Sequence, residues 1–226
     1  MEGKVYHGSR IPDLKELSPK ESTQVGSYLY ATTNPLVALY FTHSKDSLHL
    51  YFGTKMVDEK KMFYIVERIP GTLENYRKPS SLYVLDGKDF DYFKKDSFGN
   101  NEVRTDKKQT IAKEIKIEDT LEELKKYEER GQLKIHTYDN KPDFVPNDDS
   151  DMLRRGFRLY LMGGKKEDRL QYFLSIYPQF KDELQTVLNN TEDLSIEDSH
   201  KYINSLYDKD GYLNREKLEE GKSKSR

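Results

Sequence analysis

His7, Gly8 and Ser9 close the short run "KVYHGS" and set an imidazole, a bare backbone and a hydroxyl in three consecutive positions. An imidazole donates or accepts a hydrogen bond near neutral pH, and a glycine lets another group approach the main chain closely. Taken alone, a histidine at a strand end is ordinary polarity and a glycine behind it marks a turn. Chemistry would need partners from elsewhere in the chain. With 17 tyrosines and 40 acids, rings and carboxylates are plentiful, and two of the carboxylates stand on late strand-like runs, Glu102 in "NEVRT" and Glu114 in "AKEIKIED". Glu114 alternates with Ile115 and Ile117 and reads as a solvent-face residue of its strand.

Other chemistry finds less support. The chain has no cysteine, which removes disulfides, thiolate zinc sites and a cysteine nucleophile. Its histidines, at 7, 43, 49, 136 and 200, include no i, i+4 pair and no short His-x-His, so no metal is expected. "YDKDGYLNREKLEE" has the look of a calcium loop, but with Gly211 in its sixth position the first ligand would be Leu206 and the twelfth Lys217. The glycines of "LMGGKK" lack the rest of a phosphate loop and read as a helix C-cap.

The elements that must position the candidates change character along the chain. Up to about residue 120 the signal is the short aromatic or β-branched run between turn residues: "KVYHGS", "SYLYATT", "LHLYFG", "KMFYIVERI", "SSLYVLDG", "EVRT" and "AKEIKIED". Among them "NPLVALYFTHS" predicts one short helix, with Asn34 as cap, Pro35 in the first position, and Leu36, Leu39 and Tyr40 on one face. From Asp119 the period is helical. "DTLEELKKYEERG" has a capping Asp119 and a terminating Gly131, and "SIEDSHKYINSLYD" has a capping Ser195. "DNKPDFVPNDDSD" reads as a linker and "EEGKSKSR" as a frayed tail. The expected organisation is a strand-rich domain over 1–120, a helix and acidic linker over 121–149, and a helical region over 150–226.

This ordered series resembles the ADP-ribosyltransferases of the branch shared by diphtheria toxin and the poly(ADP-ribose) polymerases. It consists of "HGS", then Gly-x-x-x-Tyr-Ala-Thr, a helix ending in Tyr, and a late strand glutamate. The branch signature is a His, a Tyr and a Glu on successive strands, and the resemblance covers 1–120 only. It implies an α+β fold with a split, mainly antiparallel core of two small packed sheets and few helices, followed by the helical region. It also implies NAD as substrate and cleavage of the nicotinamide–ribose bond through an oxocarbenium-like transition state, with no metal.

By the same resemblance His7, Gly8 and Ser9 bind ribose and the nicotinamide amide, and Tyr30 and Tyr40 sandwich the nicotinamide ring, with Tyr28 the alternative to Tyr30. Glu102 is the decisive carboxylate and Glu114 its rival. Arginine-modifying relatives carry Glu-x-Glu or Gln-x-Glu, whereas Asn100 stands two residues before Glu102, so arginine modification is disfavoured. There is no room for the extra loop of the polymerases. The implied activity is mono-ADP-ribosyl transfer to a macromolecular acceptor, protein or nucleic acid, or NAD hydrolysis. The alternative is a non-catalytic binding protein that uses its C-terminal helices to contact a protein partner.

Composition agrees with a folded enzyme or module. Apolar and charged residues each make up 35% of the 226, and 17 Tyr and 10 Phe supply buried area that a disordered chain would lack. A net charge of −2 implies no strong nucleic-acid field. With no apolar leader and no run near the roughly 18 residues of a membrane span, the expected location is the cytoplasm, away from membranes.

Overall fold

The computed structural model describes residues 3–21, 26–43, 46–95, 101–162, 167–209 and 211–224. Asn100 and the glycines of "LMGGKK" lie outside them. The fold is α+β. Strands and helices divide between two compact units, the first taking in what is described up to Lys141 except Gly26, and the second Gly26 and everything described from Pro142 on.

The strands of the first unit are β1 (Lys4–Ser9), β2 (Glu16–Leu17), β3 (Lys20–Glu21), β4 (Ser27–Thr32), β5 (Leu50–Val57), β6 (Lys60–Glu67), β7 (Ser80–Asp86), β8 (Asp91–Lys95), β9 (Asn101–Thr105), β10 (Gln109–Thr110), β11 (Lys113–Ile117) and β12 (Leu133–His136). Between β4 and β5 lies α1 (Pro35–Tyr40), and between β11 and β12 lies α2 (Thr120–Glu129). Both helices start as their sequences dictate. Asn34 Oδ1 accepts the Leu36 N–H at 2.9 Å ahead of Pro35, and Asp119 Oδ1 accepts the Glu122 N–H at 3.0 Å. Gly131, at φ +67°, follows the end of α2.

The main sheet runs β11-β7-β1-β4-β9-β8, all antiparallel, with β3 beside β4. A three-stranded sheet runs β12-β6-β5, in which β12 joins β6 in parallel, and β2 pairs with β10 in a two-stranded one. The main and three-stranded sheets enclose α1: Leu36 to Tyr40 are all buried, in one cluster with Leu82 of the main sheet, Leu50, Phe63 and Ile65 of the three-stranded one, and Leu121 and Leu124 of α2. The opposite face of the main sheet holds a second cluster of Val5, Leu29, Ala31, Tyr83, Leu85, Phe90 and Val103.

The division after Lys141 falls inside the acidic stretch read as a linker, but α2 and β12 belong to the strand-rich unit. Their apolar residues Leu121, Leu124 and Leu133 complete its core, and a chain ended at 120 would leave that core uncovered.

The second unit is helical: α3 (Ser150–Met162), α4 (Glu167–Ile176), α5 (Lys181–Thr191), α6 (Ile196–Ser205) and α7 (Arg215–Lys224). Ser195 caps α6, its Oγ accepting the Asp198 N–H at 3.1 Å. Gly156 lets α3 approach α4, since a Cβ there would lie 2.6 Å from the Phe173 ring. That ring stacks on Tyr177 at 5.1 Å and Phe180 at 6.3 Å. The run read as a frayed tail continues α7 as far as Lys224. Among the described residues no helix is long and apolar enough to cross a membrane.

Candidate functional site

The candidate residues lie on three neighbouring strands. β1 carries His7, Gly8 and Ser9, β4 beside it carries Tyr28 and Tyr30, and β9 on the far side of β4 carries Glu102. At a strand spacing near 4.8 Å, β1 and β9 are about 10 Å apart.

Register decides which side chains share a face. Tyr6 pairs with Thr32, and Thr32 with Glu102, so these three point the same way, together with Gly8, Tyr30 and Arg104 at alternate positions. The odd-numbered row is His7 with Tyr83, and Tyr83 with Glu114, on the opposite face. Alternation therefore brings Tyr30 to Glu102 and sets His7 in the row of Glu114.

The His7 ring turns into the seam between β1 and β4. Gly87 N–H donates to Gly3 O at 2.8 Å, so antiparallel alternation directs the main-chain groups of Val5, His7 and Ser9 toward β7 and those of Tyr6 and Gly8 toward β4. Among the described residues, the matched pair between β1 and β4 is Tyr6 with Thr32 alone. One step further, where Gly8 would face Tyr30, the Tyr30 carbonyl accepts from His7 Nδ1 at 2.8 Å. Beyond that point the same edge of β4 is taken by β3, at Lys20 and Tyr28.

A carbonyl can only accept, so Nδ1 carries the proton and Nε2 of the neutral ring is an acceptor. Burial pushes the His7 pKa below its ordinary 6.5; the bond to Tyr30 opposes this, and the charge of Lys20 adds to it. The imidazole is thus held neutral with its acceptor nitrogen defined.

Gly8 has a second reason to be glycine. A Cβ there would collide with the Ala38 carbonyl oxygen of α1 and come within 2.7 Å of Thr42 Cγ2. Ser9 Oγ accepts the Ile11 N–H at 3.1 Å and shapes the chain leaving β1.

Tyr28 and Tyr30 meet edge to face at 6.1 Å, and the Arg104 guanidinium lies 4.2 Å over the Tyr28 ring. Arg104 is a site neighbour that the sequence reading passed over. The signal was present, because "EVRT" puts Glu102 and Arg104 on one face of a strand. Tyr40 is not brought to this group: it is 0% exposed, its ring stacks on Phe52 at 4.0 Å, and its carbonyl accepts the Tyr76 hydroxyl at 3.0 Å.

Glu114, half-exposed as its alternation with the isoleucines suggests, is nevertheless engaged by neighbouring donors. Its Oε1 accepts the Ser81 hydroxyl at 2.6 Å and the Asp13 N–H at 3.0 Å, while Ile115 is 39% exposed. These two bonds, that from Ser81 first, pull its pKa below the ordinary carboxylate value. Tyr83 joins the same network, its hydroxyl donating to Ile11 O at 2.6 Å. Glu114 therefore ties down the segment after β1. No cluster of three or more His, Asp or Glu side chains suited to a metal ion occurs among the described residues.

The chain matches no protein-family model, no curated protein and no solved structure.

Proposed function

We propose that the first unit is an NAD-dependent mono-ADP-ribosyltransferase or NAD glycohydrolase. The observation that carries this reading is the adjacency of the β1, β4 and β9 strands, with His7 bonded to the Tyr30 main chain and Glu102 one strand on, in the row of Tyr6 and Thr32. In the reaction, the Gly8 main chain pairs with the nicotinamide carboxamide, and His7, whose row lies on the face opposite Glu102, reaches a ribose hydroxyl through the β1–β4 seam into which its ring turns. The Glu102 carboxylate opposes the positive charge that grows on the ribose as the bond to nicotinamide lengthens, an interaction at full strength only in the transition state. ADP-ribose then passes to water or to an acceptor on a protein or nucleic acid.

One observation favours a second reading, a non-catalytic module that keeps the fold and works by binding. The ring of Tyr40, which would form half of the nicotinamide sandwich, is enclosed by Phe52 and Tyr76 and presents no surface. Incubating the purified chain with NAD and measuring nicotinamide release separates the two. Release supports the enzyme, with labelled NAD in a lysate then identifying the acceptor. Absence of both release and NAD binding overturns it in favour of the binding module.

A further inference from the structure

Arg154 and Arg158 stand one turn apart on α3, and both guanidinium groups converge on the side-chain oxygen of Asn204 on α6, at 2.8 Å and 3.3 Å. That oxygen belongs to a neutral amide. Two other arginines meet carboxylates: Arg77 lies against Glu74, Asp119 and Glu122, and Arg215 against Asp148 and Glu183. Among the described residues no carboxylate comes within ion-pair distance of Arg154 or Arg158. Arg154 Nε is buried and has no acceptor, and its guanidinium carbon lies 5.2 Å from the centre of the Tyr207 ring.

Two like charges sharing one neutral acceptor repel each other, and both burial and the charge of Arg154 push the Arg158 pKa down. His200, one turn before Asn204 on α6, is pushed down by burial and by Arg158. Asn204 itself is exposed, so solvent reaches the point of convergence.

We propose that Arg154, Arg158 and Asn204 form a binding site for a phosphoryl group on the second unit. Each planar guanidinium fork offers paired donors of the kind that bind phosphate oxygens, and the two charges balance a dianion. A single carboxylate would compensate one arginine and leave the other, and a dicarboxylate matches the charge without the tetrahedral array of oxygens. Asn204 contributes its amide N–H once turned over. The phosphoryl group belongs either to a small phosphate ester or to a phosphorylated side chain.

The test is calorimetric titration of the full chain with inorganic phosphate, with a phosphoserine peptide and its unphosphorylated twin, and with succinate. Phosphate and phosphopeptide are expected to bind; peptide binding tighter than phosphate assigns the source to a protein side chain, and equal binding assigns it to a small ligand. Asn204→Asp supplies the missing carboxylate within the chain. It is expected to weaken phosphate binding about tenfold or more, the loss of one charged hydrogen bond, while raising the unliganded melting temperature. Arg158→Lys, which keeps the charge and loses the fork, is expected to weaken binding in the same direction and serves if the first variant does not fold. Failure of the parent to bind phosphate, succinate binding equal to phosphate, or unchanged binding in the variants overturns the proposal.

Discussion

The two edges of β1 are built differently from the same six residues. Toward β7 every residue has a partner, from Lys4 with Asp86 to Ser9 with Ser81, and β11 extends the pairing one strand further. Toward β4 the ladder holds at Tyr6 and Thr32 and then gives way to a side chain, His7, on a main-chain carbonyl. The carboxylates differ in kind with the edges. On the continuous side Glu114 is committed to Ser81 and to the main chain of Asp13, 101 residues away. On the interrupted side Glu102 shares a face with two tyrosines and an arginine. A fully paired strand spends its main-chain groups on its neighbours; where the pairing stops, a side chain takes over the edge.

The largest expected effect lies on the interrupted edge. Glu102→Gln keeps the shape and removes the charge, and nicotinamide release should fall about 10²–10³-fold with NAD affinity retained, the pattern of a contact made in the transition state. Release at the parental rate would take Glu102 out of the chemistry and collapse the contrast between the edges.

Gly8→Ala is next. Its Cβ has no room against Ala38 and Thr42, so α1 must shift off β1, and denaturant unfolding should register a loss of about 1–3 kcal/mol, the usual cost of overpacking. An unchanged midpoint would mean that the seam gives way freely.

Smallest is Glu114→Gln, on the continuous edge and at the surface. Because the folded pKa lies below the ordinary 4.5, the carboxylate stabilises the fold above that value, and the contribution fades as pH falls through the depressed pKa. Parent and variant should therefore differ modestly in melting temperature at neutral pH and coincide in acid. A difference that persisted in acid would assign the effect to shape rather than charge.

Much of the scaffold was legible because its signals are local. The Asn34 and Pro35 start of α1, the Asp119 and Ser195 caps and the longer strand runs each state their structure within a few residues. β12 was not, since four residues of "LKIH" acquire meaning only beside β6, whose Phe63 pairs with Leu133. The bonds of Glu114 were not legible for a related reason: the residue that recruits it sits in the segment after β1, which alternation along its own strand does not report. Of the candidate site, the strands that carry His7, Tyr30 and Glu102 were legible, but their order in the sheet and the seam were not, because the point where a ladder stops is set by the third strand that takes over the edge. The burial of Tyr40 was foreshadowed by its sharing one helix face with Leu36 and Leu39, the periodicity of a core residue.

The parallel union of β12 with β6 also bears on how the chain comes to be folded during synthesis. The hairpin of β5 and β6 is complete once residue 67 has emerged, yet one edge of β6 waits for residues 133–136, and the cluster around Phe63 and Leu73 waits for α2. Through that interval a growing chain carries an unpaired strand edge rich in Phe, Tyr, Ile and Val, the kind of surface that pairs with other chains. Pauses in translation between those two points, or a shortage of chaperones that mask strand edges, should cost this protein more yield than the same disturbance after residue 141.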